Sequence, residues 1–313
     1  MHRSFWIIAS AVCFGTGLTV SRLGLAAFSP LVYTGLRLLV ALGAFIVLSL
    51  AQGRRVPPRD ARLWIPALCL GITGTALPML SIVSALQVVS SGVAAIIATC
   101  GPAFAVVFAH IALPDEKLTA RKVLGIAVAV VGAASLALQR ETGLGTAPSQ
   151  GNLLGYGLLA IALAASHASL VLTRKYLRDY ALSDVVRIQS LAATAVLVPF
   201  VIRGLDLERV RDPGMAWFSV LFGGIVGTFL AFSSRFHVLR TFGATDAAAI
   251  DYVVPIVAAA GGVIIADETV TLPMLAGVCA IFAGVALLQG RSPKKPQKVF
   301  EETFVSTFEE PNS

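Results

Sequence analysis

Ten apolar runs divide this chain: residues 4–22, 31–50, 63–84, 91–113, 121–139, 152–172, 183–202, 215–235, 244–266 and 272–290. Each is about as long as the roughly 20 apolar residues that a helix needs to cross a bilayer. The breaks between them are short and polar, among them QGRRVPPRDAR, PDEKLTARK and RSPKKPQK. No other feature limits the fold so much. With 57% hydrophobic and 13% charged residues, the chain has about half the charge of a soluble domain. It cannot cover itself with a polar surface, so its solvent is the lipid bilayer. The runs are unbroken, unlike the ten-residue alternating segments of a membrane β-barrel. The expected fold class is therefore an all-α integral membrane protein of ten transmembrane helices.

The net charge of +7 does not point to nucleic acid, because the basic residues flank the apolar runs instead of forming one patch. With the N-terminus placed in the cytoplasm, 17 Lys and Arg residues fall on the inner side and five on the outer. Positive residues favour the cytoplasmic side, so both termini are expected inside. The start, MHRSFWIIA, resembles a signal peptide, but the even span number favours a retained first helix. Cys13, Cys69, Cys100 and Cys279 all lie within apolar runs. They have no CxxC or Cys/His spacing and are expected to be small apolar fillers, with no metal and no cofactor.

The chain repeats itself. Shifted by 153 positions, WIPALCLGITGTALPMLS from Trp64 overlies WFSVLFGGIVGTFLAFSS from Trp217. Gly71/Gly224, Gly74/Gly227, Thr75/Thr228 and Pro102/Pro255 coincide, and after a one-residue slip so do Gly125/Gly277 and Gly132/Gly284. Each half holds five spans. Five is odd, so the halves enter the membrane in opposite directions. Such inverted repeats build secondary transporters, with the substrate site near midplane between the halves. Pro78, Pro102 and Pro255 are expected to interrupt their helices. They would either free carbonyls toward a cavity or serve as packing kinks.

Two five-span halves, each ending in a P…DE…G…G pattern, resemble the EamA branch of the drug/metabolite transporter superfamily. The motifs here are GPAFAVVFAHIALPDEKLTARKVLGIAVAVVGAASLAL and VPIVAAAGGVIIADETVTLPMLAGVCAIFAGVALLQG. The resemblance implies a cavity lined mainly by the first, third, fourth, sixth, eighth and ninth spans, with the fifth and tenth peripheral. It covers residues 4 to about 290 and does not name a substrate. The expected organisation is a first repeat over 1–142, an outer linker over 143–151, a second repeat over 152–290 and a disordered cytoplasmic tail over 291–313. The acidic pairs Asp115–Glu116 and Asp267–Glu268 are expected to cap the helix that follows each.

Ionisable groups within a span are costly and usually face a partner or a cavity. Arg37 and Arg187 lie close enough to span ends to reach the surface. His110 with Asp115 spells H-x4-D, but no supporting motif accompanies it. His167, deep in the sixth span, either bonds a neighbouring helix or lines the cavity. Asp246 fits a helix start, where Thr245 or Asp246 would cap and the acid would meet the positive dipole end. Asp251 lies about 10 Å along the helix from Ala244, beyond the reach of capping. Its partner in the repeat is Ala98, that of Arg235 is Ile82 and that of Tyr252 is Thr99. Scaffold needs should appear in both halves, so charges present once ask for a local reason. Asp251 either bridges to Arg235 or lines the cavity, where it would hold a proton or a substrate amine.

The candidate substrate or proton site is thus Asp251, Tyr252, His167, Arg235, Thr99, Ser81, Ser84 and Ser234. Ser233, Trp217 and His237 share these spans. Trp64 and Trp217 are expected to anchor at opposite interfaces. No GxxxxGK[ST] occurs, so this chain does not drive transport with ATP. The expected function is alternating-access transport of a small metabolite across a bacterial inner membrane. An amino acid or related compound moving outward, by proton-linked or facilitative transport, is the leading form. An organic-anion or sugar-derivative carrier is the alternative. A membrane-embedded lipid-modifying enzyme lacks a catalytic cluster. The expected partners are a small-molecule substrate and the bilayer, with a homodimer left open.

Overall fold

All ten expected helices occur in the computed structural model, which describes residues 3–51, 61–113, 117–145, 150–177, 180, 182–205 and 214–288. Asp115, Glu116 and the tail from residue 289 onward lie outside the described residues. The first two spans are Arg3–Leu25 and Pro30–Ala51. The third joins Ala61–Gly71 to Leu77–Ala85 through a π-helical turn, Ile72–Ala76. The fourth is broken into Ser91–Ala98 and Gly101–Ala112. Ala120–Leu138, Gln150–Tyr176 and Leu182–Gly204 follow. The eighth runs Met215–Gly224, a π-helical turn Ile225–Leu230, and Ala231–Phe242. Ala244–Ala266 and Leu272–Leu288 complete the set. Among the described residues nine helices are long and apolar enough to cross a membrane, and the tenth is a shorter apolar helix.

The two π-turns begin 153 positions apart, on the best-matched motif of the repeat, Gly-Ile-x-Gly-Thr. A π-turn inserts one residue into the α-ladder and frees a carbonyl. Pro78 follows the first turn, but the second has Ala231 at that position, so proline is not the common cause. The shared glycines are pressed against neighbouring helices. A Cβ at Gly71 would lie 2.5 Å from the Gln189 carbonyl oxygen, and one at Gly224 would lie 2.9 Å from the Arg37 carbonyl oxygen. Only glycine lets these backbones approach so closely.

The halves interlock. The first span packs along the eighth and ninth, and the sixth packs along the third and fourth. The second meets the seventh, and the fifth meets the tenth. Each repeat's first helix is therefore held by the other repeat. The fifth and tenth spans cross at the matched glycines, where Gly284 abuts the backbone of Gly125 and Ala129. The most apolar stretch of the fifth span is 22% buried and that of the fourth 56%, which puts the fifth at the periphery and the fourth at the centre.

The expected breaks at proline hold only in part. Pro102 opens the second segment of the fourth span, after the turn at Thr99 and Cys100. Proline suits the first turn of a helix, where its missing N–H has no partner to lose. Pro255 does not interrupt anything: Ala244–Ala266 is continuous through it.

Candidate functional site

The fourth and ninth spans converge at one end of the molecule. The Ser91–Ala98 segment packs on the ninth span far more than Gly101–Ala112 does. The space between the halves therefore widens toward the end that carries Ala112 and Ala244.

Arg235 and Asp251 face this space. Both carboxylate oxygens accept from the guanidinium, at 2.5 and 2.9 Å. Such a fork-to-fork pair fixes orientation as well as charge. Both are half-buried, with 33% of the Arg235 side chain and 32% of that of Asp251 accessible. The Phe14 ring centre lies 6.0 Å from the guanidinium carbon, and Phe14 meets Phe232 edge-on at 5.3 Å. The pair is thus neutral overall and set beside an aromatic wall.

His167 is the third member. The charges of Asp251 and Arg235 are within electrostatic reach of its ring. Its Nδ1 lies 2.9 Å from the Leu163 carbonyl oxygen. A carbonyl only accepts, so Nδ1 carries the hydrogen and Nε2 is left to exchange a proton. Nε2 faces Gly101, where a Cβ would come within 2.5 Å of it. The broken helix of the fourth span thus seats the imidazole.

The remaining expected site residues are not drawn to this pair. Tyr252 turns to Phe282 of the tenth span, ring centres 5.1 Å apart. The Thr99 hydroxyl donates to Ile96 O at 2.6 Å, and that of Ser234 to Ala231 O at 3.1 Å, each within its own helix. Ser81 is buried and Ser84 half-buried, on the segment of the third span that packs against the sixth. His237 is exposed and packs at a tilt against Trp6, ring centres 4.4 Å apart.

Several single-residue readings are corrected. Asp246 is buried and pairs with Arg3 at 2.5 Å. Gly243 occupies the N-cap with no side-chain bond, so Asp246 complements the helix dipole from the first turn but does not cap. Arg37 does not reach the surface. It is 4% exposed and donates to Ser21 Oγ (2.8 Å), Thr228 Oγ1 (2.8 Å) and the Gly227 carbonyl (3.0 Å). That carbonyl belongs to the second π-turn. Glu268 does not cap the tenth span, where Thr271 Oγ1 accepts from Met274 N instead. It reaches the start of the fourth span, accepting from Ser91 N at 2.8 Å, and pairs with Arg22 at 2.8 Å. Among the described residues no group of three His, Cys, Asp or Glu side chains is placed to hold a metal.

Two stretches, residues 3–138 and 153–289, match the model of the EamA-like transporter family. The chain belongs to the EamA-like transporter family. It carries two copies of the family's unit, as its internal repeat requires. It is 25% identical over 291 residues to an uncharacterized transporter of Archaeoglobus fulgidus, covering 90% of this chain and 98% of that one. It is 24% identical over 295 residues to the uncharacterized inner membrane transporter YedA of Escherichia coli K12, covering 93% and 92%. A crystal structure superposes with a TM-score of 0.64 at 20% identity, over 92% of this chain and 98% of that one. That last likeness concerns fold. EamA membership makes this chain a multi-pass membrane transporter and not an enzyme.

Proposed function

We propose that this EamA transporter moves a small metabolite by alternating access, and that Arg235, Asp251 and His167 form its substrate and proton site. The observation that carries the proposal is the Arg235–Asp251 pair, one-third accessible and faced by Phe14 of the first repeat. A neutral pair favours a substrate that bears both an ammonium and a carboxylate. Asp251 can take the ammonium and Arg235 the carboxylate, leaving no unpaired charge in a poorly hydrated site. An amino acid or a related compound has that chemistry, and Phe14 and Phe232 supply apolar surface for its side chain. An organic anion would leave Asp251 unpaired, so it is the weaker reading.

Proton coupling follows from the same three groups. A proton on Asp251 or on His167 Nε2 would weaken the hold of the pair and free the substrate. The direction is outward, from a cytoplasm that contains both termini. The membrane is a bacterial inner membrane, like that of YedA.

Flux of zwitterionic, anionic and neutral metabolites into proteoliposomes at two pH values tests this. Asp251→Asn should abolish the pH dependence and reduce zwitterion flux at least about tenfold. Unchanged flux and pH dependence in that variant would refute the site.

A further inference from the structure

Glu268 lies in the loop after the ninth span, yet it is among the most buried charged residues of the protein, 5% exposed. Its Oε1 accepts from Arg22 Nη1 and from Ser91 N, both at 2.8 Å. Its Oε2 accepts from Ser91 Oγ at 2.8 Å and Gly92 N at 3.3 Å. Four donors from two helices of the first repeat thus converge on one carboxylate of the second. Bonds to an ionised acceptor are about twice as strong as neutral ones, and these are shielded from water.

The surroundings are shaped for the closure. Gly262 has no Cβ, and any Cβ there would overlap Glu268 Oε2. Thr19 lies directly beneath, its hydroxyl 3.2 Å from Ser91 Oγ and 3.3 Å from the Ala258 carbonyl. A Cβ on Gly92 would sit 3.4 Å from the Ala259 Cβ. These contacts close the cavity at the end where the fourth and ninth spans converge. The Arg235–Asp251 pair lies toward the other end, where they diverge.

We propose that Glu268 is the latch of this closed end: its bonds to Ser91, Gly92 and Arg22 hold the repeats together there and must break for the cavity to open on that side. An ordinary helix cap needs only N–H groups from the helix it serves. Here the cap, its carboxylate and the balancing guanidinium come from three separate elements. Parting the fourth and ninth spans therefore removes the Ser91 and Gly92 bonds together. Glu268 acts as a positioning residue for transport and touches no substrate. The proposal rests on the alternating-access reading above.

The test needs no substrate. In protein with Cys13, Cys69, Cys100 and Cys279 replaced by alanine, Thr19→Cys reports access from the Glu268 side to a membrane-impermeant maleimide. Phe14→Cys reports access from the opposite side. Glu268→Gln should speed labelling at Thr19→Cys at least about tenfold. Arg22→Gln, which leaves the Ser91 and Gly92 bonds in place, should speed it by a smaller factor. A disulfide formed by Gly92→Cys with Ala259→Cys, whose Cβ separation is near the usual 3.5–4.5 Å, should abolish that labelling until it is reduced. If neither Glu268→Gln nor Arg22→Gln labels faster than the parent while Phe14→Cys reacts normally, the latch is wrong and the cavity stands. If neither reporter reacts from either side, alternating access fails and takes the latch with it. Should Glu268→Gln not fold, the Arg22→Gln and disulfide arms decide.

Discussion

Arg37 donates to Ser21 Oγ at 2.8 Å, and the same bond exists in the other repeat with no charge in it. There Gln189 Nε2 donates to Thr173 Oγ1 at 3.2 Å. Both members stand 152 positions from their counterparts. Each also presents its backbone carbonyl to the glycine that opens a π-turn, Gly224 for Arg37 and Gly71 for Gln189. The two sites are one design, neutral in the first repeat's π-turn and cationic in the second's. Arg37→Gln should therefore fold and keep most of its thermal stability in detergent. Arg37→Ala leaves the Gly227 carbonyl without its donor, and each buried polar group left unsatisfied costs about 1–3 kcal/mol. Equal losses of melting temperature in the two variants would contradict this account.

Arg37 also shows where sequence reading stops. Its depth in its own span suggests reach to the surface, because span position says nothing about which face a side chain takes. The signal was present in Gln189 and in the glycines opposite, but it uses a 152-residue offset in the first two spans and 153 in the third and eighth. Ten spans and the repeat were legible, since length and the matched small residues carry them directly, and the peripheral fifth and tenth helices followed from the family resemblance. The Arg235–Asp251 pair was legible as one of two alternatives, because single-copy charges stand out against a symmetric scaffold. Glu268 was not. Its partner Ser91 is 177 positions away, while the local pattern points to the tenth helix, whose start Thr271 already serves. The π-turns fall on the best-conserved motif between the halves, but nothing in Gly-Ile-x-Gly-Thr distinguishes a π-turn from close packing.

Two glycines should respond to alanine in opposite ways. A Cβ at Gly284 would come 2.5 Å from Ala129 N and 2.6 Å from Gly125 O, both backbone atoms that cannot yield cheaply. Gly284→Ala should push the fifth and tenth spans apart at about 1–3 kcal/mol. Gly43 is helical, exposed and has nothing within 4 Å of its missing Cβ. Gly43→Ala should be neutral or stabilising by up to about 1 kcal/mol through helix propensity. Melting curves of the purified variants check both signs.

Topology can be read with single cysteines in the cysteine-free background. Thr269 is exposed in the loop between the ninth and tenth spans, and Tyr176 is exposed at the opposite end of the sixth. The excess of Lys and Arg at the Tyr176 end predicts that this end is cytoplasmic. Impermeant maleimide should label Thr269→Cys in intact cells and Tyr176→Cys only after permeabilisation. The reverse pattern would place the latch of Glu268 on the cytoplasmic side.

The Arg235–Asp251 pair should behave as a balanced unit. Asp251→Asn leaves a guanidinium in a half-buried site without its counter-charge. Removing one member of a fully buried pair costs 3–5 kcal/mol, and exposed pairs contribute about 0–1 kcal/mol. With a third of each side chain accessible, a loss of about 1–3 kcal/mol is expected, read as a lower melting temperature. Arg235→Gln combined with Asp251→Asn restores neutrality and should recover most of that loss. If the pair is only a structural bridge, the recovered double variant will also regain transport. If it is the substrate site, stability returns and transport does not, because a Gln and an Asn cannot replace opposite charges for a zwitterion. Melting temperature and zwitterion flux measured on the same three proteins separate the outcomes.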